Sequence, residues 1–510
     1  MSRKGVARRV ARTAAVAVLL SGSTLFATAR AQSSSEPLRP EPVELGVSTF
    51  NIEYGGAHVS FDKIVQAIRR GGADVVGIEE GQGHIPRLAR ALGWPFFSTR
   101  LQIVSRLPLI DPPDANGRYV FVETSPGRVV AIENVHLPSS PYGPGMARRG
   151  SSRAEIVDVE RRVRLPEIRP FLRAGRALVE QGIPVFLVGD FNSPSWRDWA
   201  PEMVGARPQI RFPLRWPVSV AVERSGFVDS YRDIYPDPAR DPGLTWWADR
   251  PDVPGWDPWK GAPQDRIDLV YAAGRAEATD SIIVGERGVP WVDRSVRPWP
   301  TDHRGVVSTF SVRPGRTPTL VAVERRLSDV GRDVLVRFHA SQAPAGAVAV
   351  VPAGGDPIAD QVAVLTTGGA ADGTLAFVTD GWTPGSYEAV LLDGNAELSR
   401  IAFWLQEPGG DPSLETSAPT YAEGEPIGVT WRSAPGQRWD WIGVYKRGRD
   451  PRVAWYLLWL YTGATVEGQA TLDASSYGPW PLEAGRYSVY LLADDGYKLL
   501  ARADFEVVAP

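Results

Sequence analysis

The chain has 510 residues, of which 43% are hydrophobic and 10% aromatic, a composition that excludes a disordered protein and suggests roughly two to four domains. It contains no cysteine, which excludes disulfides, thiolate metal sites and a cysteine nucleophile. Residues 317–510 hold 14 basic and 24 acidic residues, whereas residues 32–316 hold 36 basic and 35 acidic residues. This nearly neutral part argues against tight binding of nucleic acid through bulk charge while leaving a local basic cleft open.

The first 31 residues have the pattern of a secretory signal peptide. Five basic residues precede an apolar run from Ala14 to Ala27, and Ala29-Arg30-Ala31 offers small residues for cleavage. The run is too short to span a bilayer comfortably, and no other stretch approaches ~20 apolar residues. We therefore expect a protein without a transmembrane segment that is secreted or periplasmic after cleavage near Ala31, with a linker over residues 32–42.

A βαβ-like unit is predicted at the start of the folded part. Leu45–Asn51 and Asp74–Ile78 have the β-branched content of strands. Between them, Phe61–Arg70 carries apolar residues at helical spacing and closes on a glycine pair, which is typical of a helix end. Strand, helix and strand within about thirty residues form one such unit, and a helix at Ile85–Leu92 follows it.

The next segment combines a strand, a loop and a long helix. Val129–His136 is predicted to be a strand that ends on its histidine. Residues 137–150 are rich in Pro, Gly and Ser and are expected to form a surface loop beside it. Val159–Gln181 has the apolar spacing of a helix, which Pro166 and Pro170 are expected to interrupt or bend.

The strand at Val185–Val188 organises this part of the chain. Its four apolar residues predict a buried strand, and Gly189 ends it. Asp190 and Asn192 therefore fall at its C-terminal end, where an α/β sheet places its chemistry. A carboxylate and an amide at such a place can move a proton and donate a hydrogen bond to an oxyanion, whereas an isolated Asp-x-Asn is more often an Asx-turn.

Two more strands complete this part of the chain. Arg266–Tyr271 is predicted to be a strand with Asp268 inside it, and Gly305–Phe310 to be a strand preceded by a Thr-Asp-His sequence. Because sheet strands alternate with helices throughout residues 43–313, we predict a single α/β domain there.

The C-terminal part is predicted to be all-β and repeated. Its short strands and frequent turns recur with a period of about 100 residues, as in Gly385-Ser386-Tyr387 and Gly485-Arg486-Tyr487. We predict two tandem immunoglobulin-like β-sandwiches, over residues 317–408 and 414–510, and expect them to bind a polymer or a surface. Within the second, Trp455–Trp459 is interpreted either as a membrane-binding hairpin or, preferably, as a buried sandwich strand.

Polar residues at the predicted strand ends include the types needed to cut a phosphoester with one divalent metal. A carboxylate suits Mg²⁺ or Mn²⁺, a histidine paired with a carboxylate activates water, and amide or imidazole donors stabilise phosphoryl oxygens. These residues are Asn51, Glu80, His136, Asp190, Asn192, Asp268, Asp302 and His303.

Six short motifs carry these residues in order and resemble the endonuclease/exonuclease/phosphatase superfamily. They are Thr49-Phe50-Asn51, Ile78-Glu79-Glu80, Asn134-Val135-His136-Leu137, Gly189-Asp190-Phe191-Asn192, Arg266-Ile267-Asp268 and Thr301-Asp302-His303. The resemblance spans residues 43–312 and implies a four-layer sandwich of two β-sheets flanked by helices. It also implies metal-dependent hydrolysis of a phosphoester, as in deoxyribonucleases, sphingomyelinases and inositol-polyphosphate phosphatases.

The resemblance further implies a role for each residue at the site. Glu80 would be the principal metal ligand, with Asn51 beside it and Asp302 close to the metal. His303 would be the general base on water, and Asp268 would orient it.

Three more residues would handle the phosphate. Asp190 would carry a proton at the nucleophile or leaving group, while Asn192 and His136 would hold phosphate oxygens. The histidine at position 136 resembles the secreted nucleases, sphingomyelinases and phosphatases more than the apurinic endonucleases, which generally have a tyrosine there.

The sequence departs from the family at Glu79, where glutamine is usual; this side chain either adds negative charge near the metal or points into the core. Thr301 replaces a frequent serine.

Loop residues are candidates for substrate binding. Tyr142 and Arg148 lie in the segment after His136 and are predicted to contact the substrate, and Trp246 and its neighbours either line the cleft or pack on the sandwich edge. Asp265 is an alternative to Asp268 but is expected to be an exposed acid at the start of a strand.

We expect an exported, monomeric, Mg²⁺- or Mn²⁺-dependent hydrolase that acts on a phosphodiester, with nucleic acid or a lipid headgroup as the substrate. Two alternatives remain open. One is a phosphomonoesterase acting on inositol or sugar phosphates. The other is a surface-binding protein whose α/β domain has lost its activity.

Overall fold

The computed structural model describes residues 41–340 and 346–509. The predicted signal peptide and most of the predicted linker, up to residue 40, lie outside the described residues. Within the described residues, no helix has both the length and the apolar character needed to cross a membrane.

The α/β part begins at β1. Its strands are β1 (Val43–Asn51), β2 (Val75–Glu79), β3 (Phe96–Ser98), β4 (Ile103–Ser105), β5 (Leu109–Ile110), β6 (Val120–Ser125), β7 (Arg128–His136), β8 (Val185–Asp190), β9 (Val228–Asp229), β10 (Asp268–Ala273), β11 (Ala276–Gly285), β12 (Arg294–Ser295), β13 (Gly305–Val312) and β14 (Gly315–Arg316). Its helices are α1 (Glu53–Gly56), α2 (Phe61–Gly71), α3 (Ile85–Leu92), α4 (Gly143–Arg149), α5 (Arg153–Glu180), α6 (Pro217–Arg224) and α7 (Ser230–Ile234).

These strands form two sheets that pack face to face. One has the order β12-β11-β13-β1-β2-β4-β3, and the other has the order β5-β6-β7-β8-β10-β9 with β14 beside β7. Apolar residues from both sheets, such as Val47 and Val188, share one core. Helices α2 and α3 cover the outer face of the first sheet, and α5 and α6 cover that of the second. The predicted four-layer α/β sandwich is therefore confirmed.

Strand β8 lies at the centre of this arrangement. Phe186 and Val188 face the other sheet, whereas Val185 and Leu187 face the core beneath the helices, as the two-residue period of a strand requires. Both faces are apolar because both are covered. The prediction of a buried strand here is confirmed.

Helix α5 differs from the prediction. It is a single helix of 28 residues that includes Pro166 and Pro170, and it begins at Arg153. Its start is a capping box, in which the Ser152 hydroxyl accepts the Glu155 N–H and the Glu155 carboxylate accepts the Ser152 N–H. An interior proline costs about 3 kcal/mol, and the buried apolar stripe of the helix offsets this cost. The expected surface loop at 137–150 was also wrong in part, because α4 lies within it.

The C-terminal strands form two pairs of sheets. They are β15 (Leu320–Val323), β16 (Leu327–Asp329), β17 (Val334–His339), β18 (Ala347–Pro352), β19 (Ala363–Thr366), β20 (Asp372–Phe377), β21 (Gly385–Asp393), β22 (Ala396–Gln406), β23 (Ser413–Thr416), β24 (Thr420–Ala422), β25 (Ile427–Arg432), β26 (Trp441–Lys446), β27 (Leu458–Tyr461), β28 (Gly468–Leu472), β29 (Gly485–Ala493) and β30 (Lys498–Val508).

Each pair consists of a three-stranded and a five-stranded sheet. The orders are β15-β17-β20 with β16-β22-β21-β18-β19, and β23-β25-β28 with β24-β30-β29-β26-β27, so the second sandwich repeats the first strand for strand. The predicted tandem all-β sandwiches are confirmed, while their exact residue boundaries stay a prediction. The segment around Trp455 differs from the preferred interpretation, because Trp455 is 87% exposed and β27 begins only at Leu458.

Gly189 allows β8 to lie beside β7. Its φ is +146°, and a Cβ there would lie 1.9 Å from the carbonyl oxygen of Val135. We expect Gly189→Ala to destabilise the protein by about 3 kcal/mol, because the backbone must move to relieve this overlap. Thermal unfolding followed by tryptophan fluorescence measures the effect. Gly346→Ala is the control, since a Cβ at Gly346 would meet its neighbours at ordinary contact distances; equal midpoints for the two variants would contradict the prediction.

Candidate active site

Strand register brings three predicted site residues into one row. His136 at the end of β7 pairs with Asp190 at the end of β8, and Asp190 pairs with Asp268 at the start of β10. On the other sheet, Asn51 at the end of β1 pairs with Glu79 at the end of β2. The polar ends of both sheets therefore meet at one edge of the sandwich, as expected for an α/β active site.

His303 and Asp268 form a buried pair. The Nδ1 atom of His303 lies 3.0 Å from each carboxylate oxygen of Asp268, and the two residues are 5% and 0% exposed. Since Asp268 accepts the Nδ1 proton, Nε2 is left to exchange a proton with another group. It lies 3.7 Å from Asp190 Oδ2 and 3.9 Å from Asp302 Oδ1.

Asp190 occupies the centre of the site. Its Oδ1 accepts the N–H of Asn192 at 2.9 Å, which is an Asx-turn, and its Oδ2 accepts the Asn51 amide at 3.2 Å. The Asn192 side chain donates to the Leu137 carbonyl at 3.0 Å, so one of its two amide hydrogens is committed to the fold. The Asx-turn is therefore observed, and the functional interpretation of this sequence stays a prediction.

Glu80 lies beside Asn51. The Asn51 amide donates to Glu80 Oε1 at 3.2 Å, and the N–H of Tyr54 donates to Oε2 at 3.0 Å. Asp302 accepts the indole N–H of Trp246 at 3.1 Å. Glu80 and Asp302 offer carboxylate oxygens of the kind that hard divalent cations prefer, which fits Mg²⁺ or Mn²⁺. The Oδ1 atom of Asn51 accepts the Glu53 N–H at 3.0 Å, so in this structure its Nδ2 rather than its oxygen faces Glu80.

A second acidic group shares the site. Asp190, Asp268 and His303 have ligand atoms that lie within 4.8 Å of one another. These ligand atoms are close enough to hold a metal ion, and the same proximity lets Asp268 orient His303.

Buried carboxylates dominate the electrostatics. Burial raises the pKa of Asp302 to about 7, and the charges of Glu53 and Glu80 add to this against the opposing effect of His303. Burial likewise raises the pKa of Asp190 to about 6, which the two histidines partly oppose. This crowding of negative charge is the environment that a divalent cation neutralises.

The surrounding carboxylates raise the pKa of both imidazoles. Burial alone would lower the pKa of His136, but the charge and hydrogen bond of Asp495, with the charges of Asp190 and Glu80, raise it to about 10. His303 shows the same balance, with Asp268 as the strongest opposing charge, and its pKa lies well above the usual value.

Glu79 points into the core. It is 1% exposed, and the Thr49 hydroxyl lies 3.0 Å from each of its carboxylate oxygens. Burial and the nearby charges of Asp268 and Asp190 raise its pKa well above the usual value. Of the two alternatives left open by the sequence, the core position is the one observed. Thr301 is also structural in part, because its hydroxyl donates to the Asn51 carbonyl at 3.0 Å.

The two predicted substrate-binding residues lie in different surroundings. Tyr142 is half-buried, its ring centroid is 5.2 Å from that of Trp246, and its hydroxyl lies 3.4 Å from Asp265. Arg148 is exposed on α4 and donates to the Gly261 carbonyl. Trp246 contacts both Tyr142 and Asp302. The Arg148 guanidinium instead makes its hydrogen bond to a loop carbonyl, that of Gly261.

Two features were missed by sequence reasoning. Asp265 was expected to be exposed, which is wrong: it is 0% exposed and accepts hydrogen bonds from Trp199 at 3.2 Å and Gln209 at 3.3 Å. Asp495 of the second sandwich was not considered at all, yet its Oδ2 lies 2.5 Å from Nδ1 of His136. A comparison of the two repeats was the available signal, since the second has a longer, acidic turn at this point.

Comparison with known proteins agrees with this geometry. Residues 48–303 match the model of the Endonuclease/Exonuclease/phosphatase family. An uncharacterized protein of Caenorhabditis elegans, F14F9.5, is 29% identical over an alignment of 291 residues that covers 52% of this chain and 90% of that protein.

Solved structures also show similarity at low scores. TDP2 of D. rerio complexed with a single-strand DNA product is 14% identical with a TM-score of 0.32, covering 53% of this chain and 99% of that one. An endonuclease/exonuclease/phosphatase family protein from Bacteroides thetaiotaomicron is 14% identical with a TM-score of 0.30, covering 53% and 96%. Murine CEACAM1b is 15% identical with a TM-score of 0.16, covering 37% and 100%.

The burial of Asp265 predicts a pH effect on stability. Burial raises its pKa to about 6 in the folded protein, from the ordinary value of 3.8. Because the folded state holds the proton more tightly, stability falls as the pH rises through this window and then levels off. A shift of this size corresponds to about 3 kcal/mol.

Asp265→Asn removes this titration. We expect the wild type to exceed the variant in thermal midpoint by more at pH 4.5 than at pH 7.5, because only the wild type pays the cost of ionisation. Midpoints measured at half-unit pH intervals test this. A difference between the two proteins that is constant with pH would contradict the assignment.

Proposed function

The chain belongs to the endonuclease/exonuclease/phosphatase family, and from this we propose that it is a divalent-metal-dependent phosphoesterase that hydrolyses a phosphodiester with histidine-activated water. The family includes phosphodiesterases and phosphatases. The observation that carries the proposal is the buried pair of His303 and Asp268, whose Nδ1 contact leaves Nε2 beside Asp190 and Asp302. This is the geometry of an oriented acid–base histidine.

The residues divide the work of the reaction between them. His303 takes the proton of the attacking water through Nε2, while Asp268 keeps the ring in the required tautomer and orientation. Asp190 lies between the two imidazoles and exchanges the proton needed by the leaving oxygen. His136, whose pKa is raised by the neighbouring carboxylates, and Asn192 donate hydrogen bonds to the negative phosphoryl oxygens.

Glu80, Asn51 and Asp302 are the proposed metal ligands. A bound Mg²⁺ or Mn²⁺ would supply Lewis-acid polarisation of the phosphoryl oxygen and would offset the carboxylate charge that raises the pKa of His303. Asn51 lies between the two groups, since its Nδ2 donates to both Glu80 and Asp190 while its Oδ1 accepts the Glu53 N–H.

Aromatic side chains beside Glu80 favour a substrate with a planar ring. Tyr54 stacks on His58 with centroids 5.0 Å apart, and Trp256 packs edge-on against both rings at 5.2 and 4.9 Å. Trp256 is 36% exposed, so this cluster forms part of the accessible surface. We propose a nucleotide-containing phosphodiester as the substrate class, because bases stack on such surfaces. We also propose export, on the basis of the predicted signal peptide.

Removal of the imidazole tests the proposed chemistry. We expect wild-type protein with Mg²⁺ or Mn²⁺ to hydrolyse at least one of plasmid DNA, RNA, sphingomyelin, inositol phosphates and bis-p-nitrophenyl phosphate. His303→Ala is expected to lower kcat by about 100- to 10,000-fold, because it removes general acid–base catalysis.

His339→Ala is the matched control, since His339 lies in the first sandwich. Activity confined to inositol phosphates would favour the phosphomonoesterase alternative. A folded, metal-loaded wild type that hydrolyses no member of the panel would instead favour a binding protein.

Metal binding can be tested apart from activity. We expect Glu80→Gln to weaken Mn²⁺ binding by about 10- to 100-fold, because an amide oxygen is a poorer ligand than a carboxylate. Electron paramagnetic resonance titration with Mn²⁺ gives the dissociation constant directly. Glu44→Gln, an exposed change on β1, is the control. Equal affinities of Glu80→Gln and the control would exclude Glu80 as the principal ligand.

A further inference from the structure

A turn of the second β-sandwich enters the candidate active site. Residues 494–497 join β29 to β30. Asp495 Oδ2 in this turn lies 2.5 Å from Nδ1 of His136, and the two side chains are only 15% and 12% exposed. A carboxylate from one domain is thus paired with a proposed catalytic histidine of another.

The carboxylate of Asp495 is held from its own sandwich. Its Oδ1 accepts the hydroxyl of Tyr461 at 2.9 Å, and its backbone N–H donates to the Trp439 carbonyl at 2.8 Å. One oxygen is thereby fixed within the sandwich, and the other is directed at His136. The acceptor that faces the imidazole is preorganised, which is what orientation of a ring requires.

The neighbouring Asp494 accepts hydrogen bonds from the turn that follows Glu80 and from Gln102. Its Oδ2 accepts the N–H of Gly83 at 2.6 Å, and its Oδ1 accepts the amide of Gln102 at 2.8 Å. Gln102 in turn accepts the N–H of Gly81 at 2.6 Å. Two consecutive aspartates therefore contact both sides of the site, the strand end that carries His136 and the turn that carries Glu80.

The first sandwich has no such turn at the equivalent place. Its strands β21 and β22 are joined by Gly394 and Asn395 alone, and both residues are exposed. The two sandwiches share their strand order, so the longer turn is a property of the copy that reaches the site. The sandwich fold itself therefore does not require the longer turn.

The backbone of the turn favours glycine, yet it carries aspartates. Asp494 has a φ of +53° and Asp495 a φ of +62°, both in the left-handed region. Strain of this kind persists where the surroundings hold it and is often associated with function. Here, the contacts of the two carboxylates with the α/β part hold the turn in this conformation.

We propose that the second sandwich completes the catalytic site and that Asp495 is the positioning residue of His136. This inference rests on the proposed phosphoesterase function. The Nδ1 proton of His136 is donated to Asp495, and Nε2 then faces Asp190 Oδ2 at 3.6 Å and the site between the sheets. The ring is thereby fixed as a donor to the phosphoryl oxygen.

The sandwich is docked by further contacts away from the turn. The Tyr477 hydroxyl donates to the Val163 carbonyl on α5 at 2.7 Å. The Arg100 guanidinium donates to the Ala464 carbonyl at 2.9 Å, and the Arg438 N–H donates to the Arg100 carbonyl at 2.8 Å. These contacts hold the second sandwich in place when the Asp495 side chain is changed, which makes a point variant informative.

The test uses Asp495→Gly and Asp495→Asn in the full chain. Glycine suits the left-handed backbone, so Asp495→Gly removes the carboxylate without strain. We expect it to lower kcat on bis-p-nitrophenyl phosphate by about 10- to 100-fold with an unchanged or higher thermal midpoint. Asp495→Asn retains an acceptor for Nδ1–H and is expected to recover part of the loss. Asp393→Asn, at the exposed turn of the first sandwich, is the control.

A nuclear magnetic resonance measurement separates this inference from the proposed function. The imidazole signal of His136, assigned by its loss in His136→Asn, is expected to shift in Asp495→Gly and to stay unchanged in Asp393→Asn. If the wild type hydrolyses nothing but this signal depends on Asp495, the proposed function fails and the positioning of His136 stands. If the wild type is active and Asp495→Gly retains its kcat, or if the His136 signal does not respond to Asp495→Gly, the inference is overturned.

Discussion

The register of three strands is the constraint on which the site depends. Because β7 and β8 are parallel and β10 is antiparallel to β8, His136, Asp190 and Asp268 lie directly opposite one another. A slip of one residue in any of these strands would turn its side chain to the other face of the sheet. Gly189 permits the register, since a side chain there would collide with Val135, and the buried apolar residues of β8 fix it from both faces.

This register concentrates acidic groups in a small buried volume. Glu79, Asp190, Asp268 and Asp302 are each less than a tenth exposed. Buried carboxylates cost folding free energy unless hydrogen bonds and opposite charges compensate them. The histidines supply part of this compensation, and the oxygen donors that remain suit a hard cation. The apolar packing of the two sheets offsets the remaining free-energy cost of burying these carboxylates. The acidic site at the edge of the sandwich therefore depends on the stability of the two sheets.

The elements that could be predicted are those indicated by residues close together in the sequence. A run of apolar residues closed by glycine identified β8 and placed Asp190 at its end, and the order of six motifs identified the family. The exposure of Asp265 was predicted wrongly because its partners Trp199 and Gln209 lie more than 50 residues away in the sequence. The continuity of α5 was missed for a similar reason, since packing of the whole helix outweighs the local effect of Pro166 and Pro170.

The pairing of Asp495 with His136 had no local signal, because 359 residues separate them. What the sequence does contain is a difference between two repeats that otherwise have the same strand order. Asp495 and His136 belong to one chain, so no entropy is lost in bringing two molecules together. Docking of the whole sandwich already restricts their relative positions, which reduces the entropy cost of their contact. Asp494 and Asp495 both adopt the left-handed conformation, which glycine adopts more readily than aspartate. Their carboxylates contact the α/β part on both sides of the candidate site, so the turn of the second sandwich contributes side chains to it.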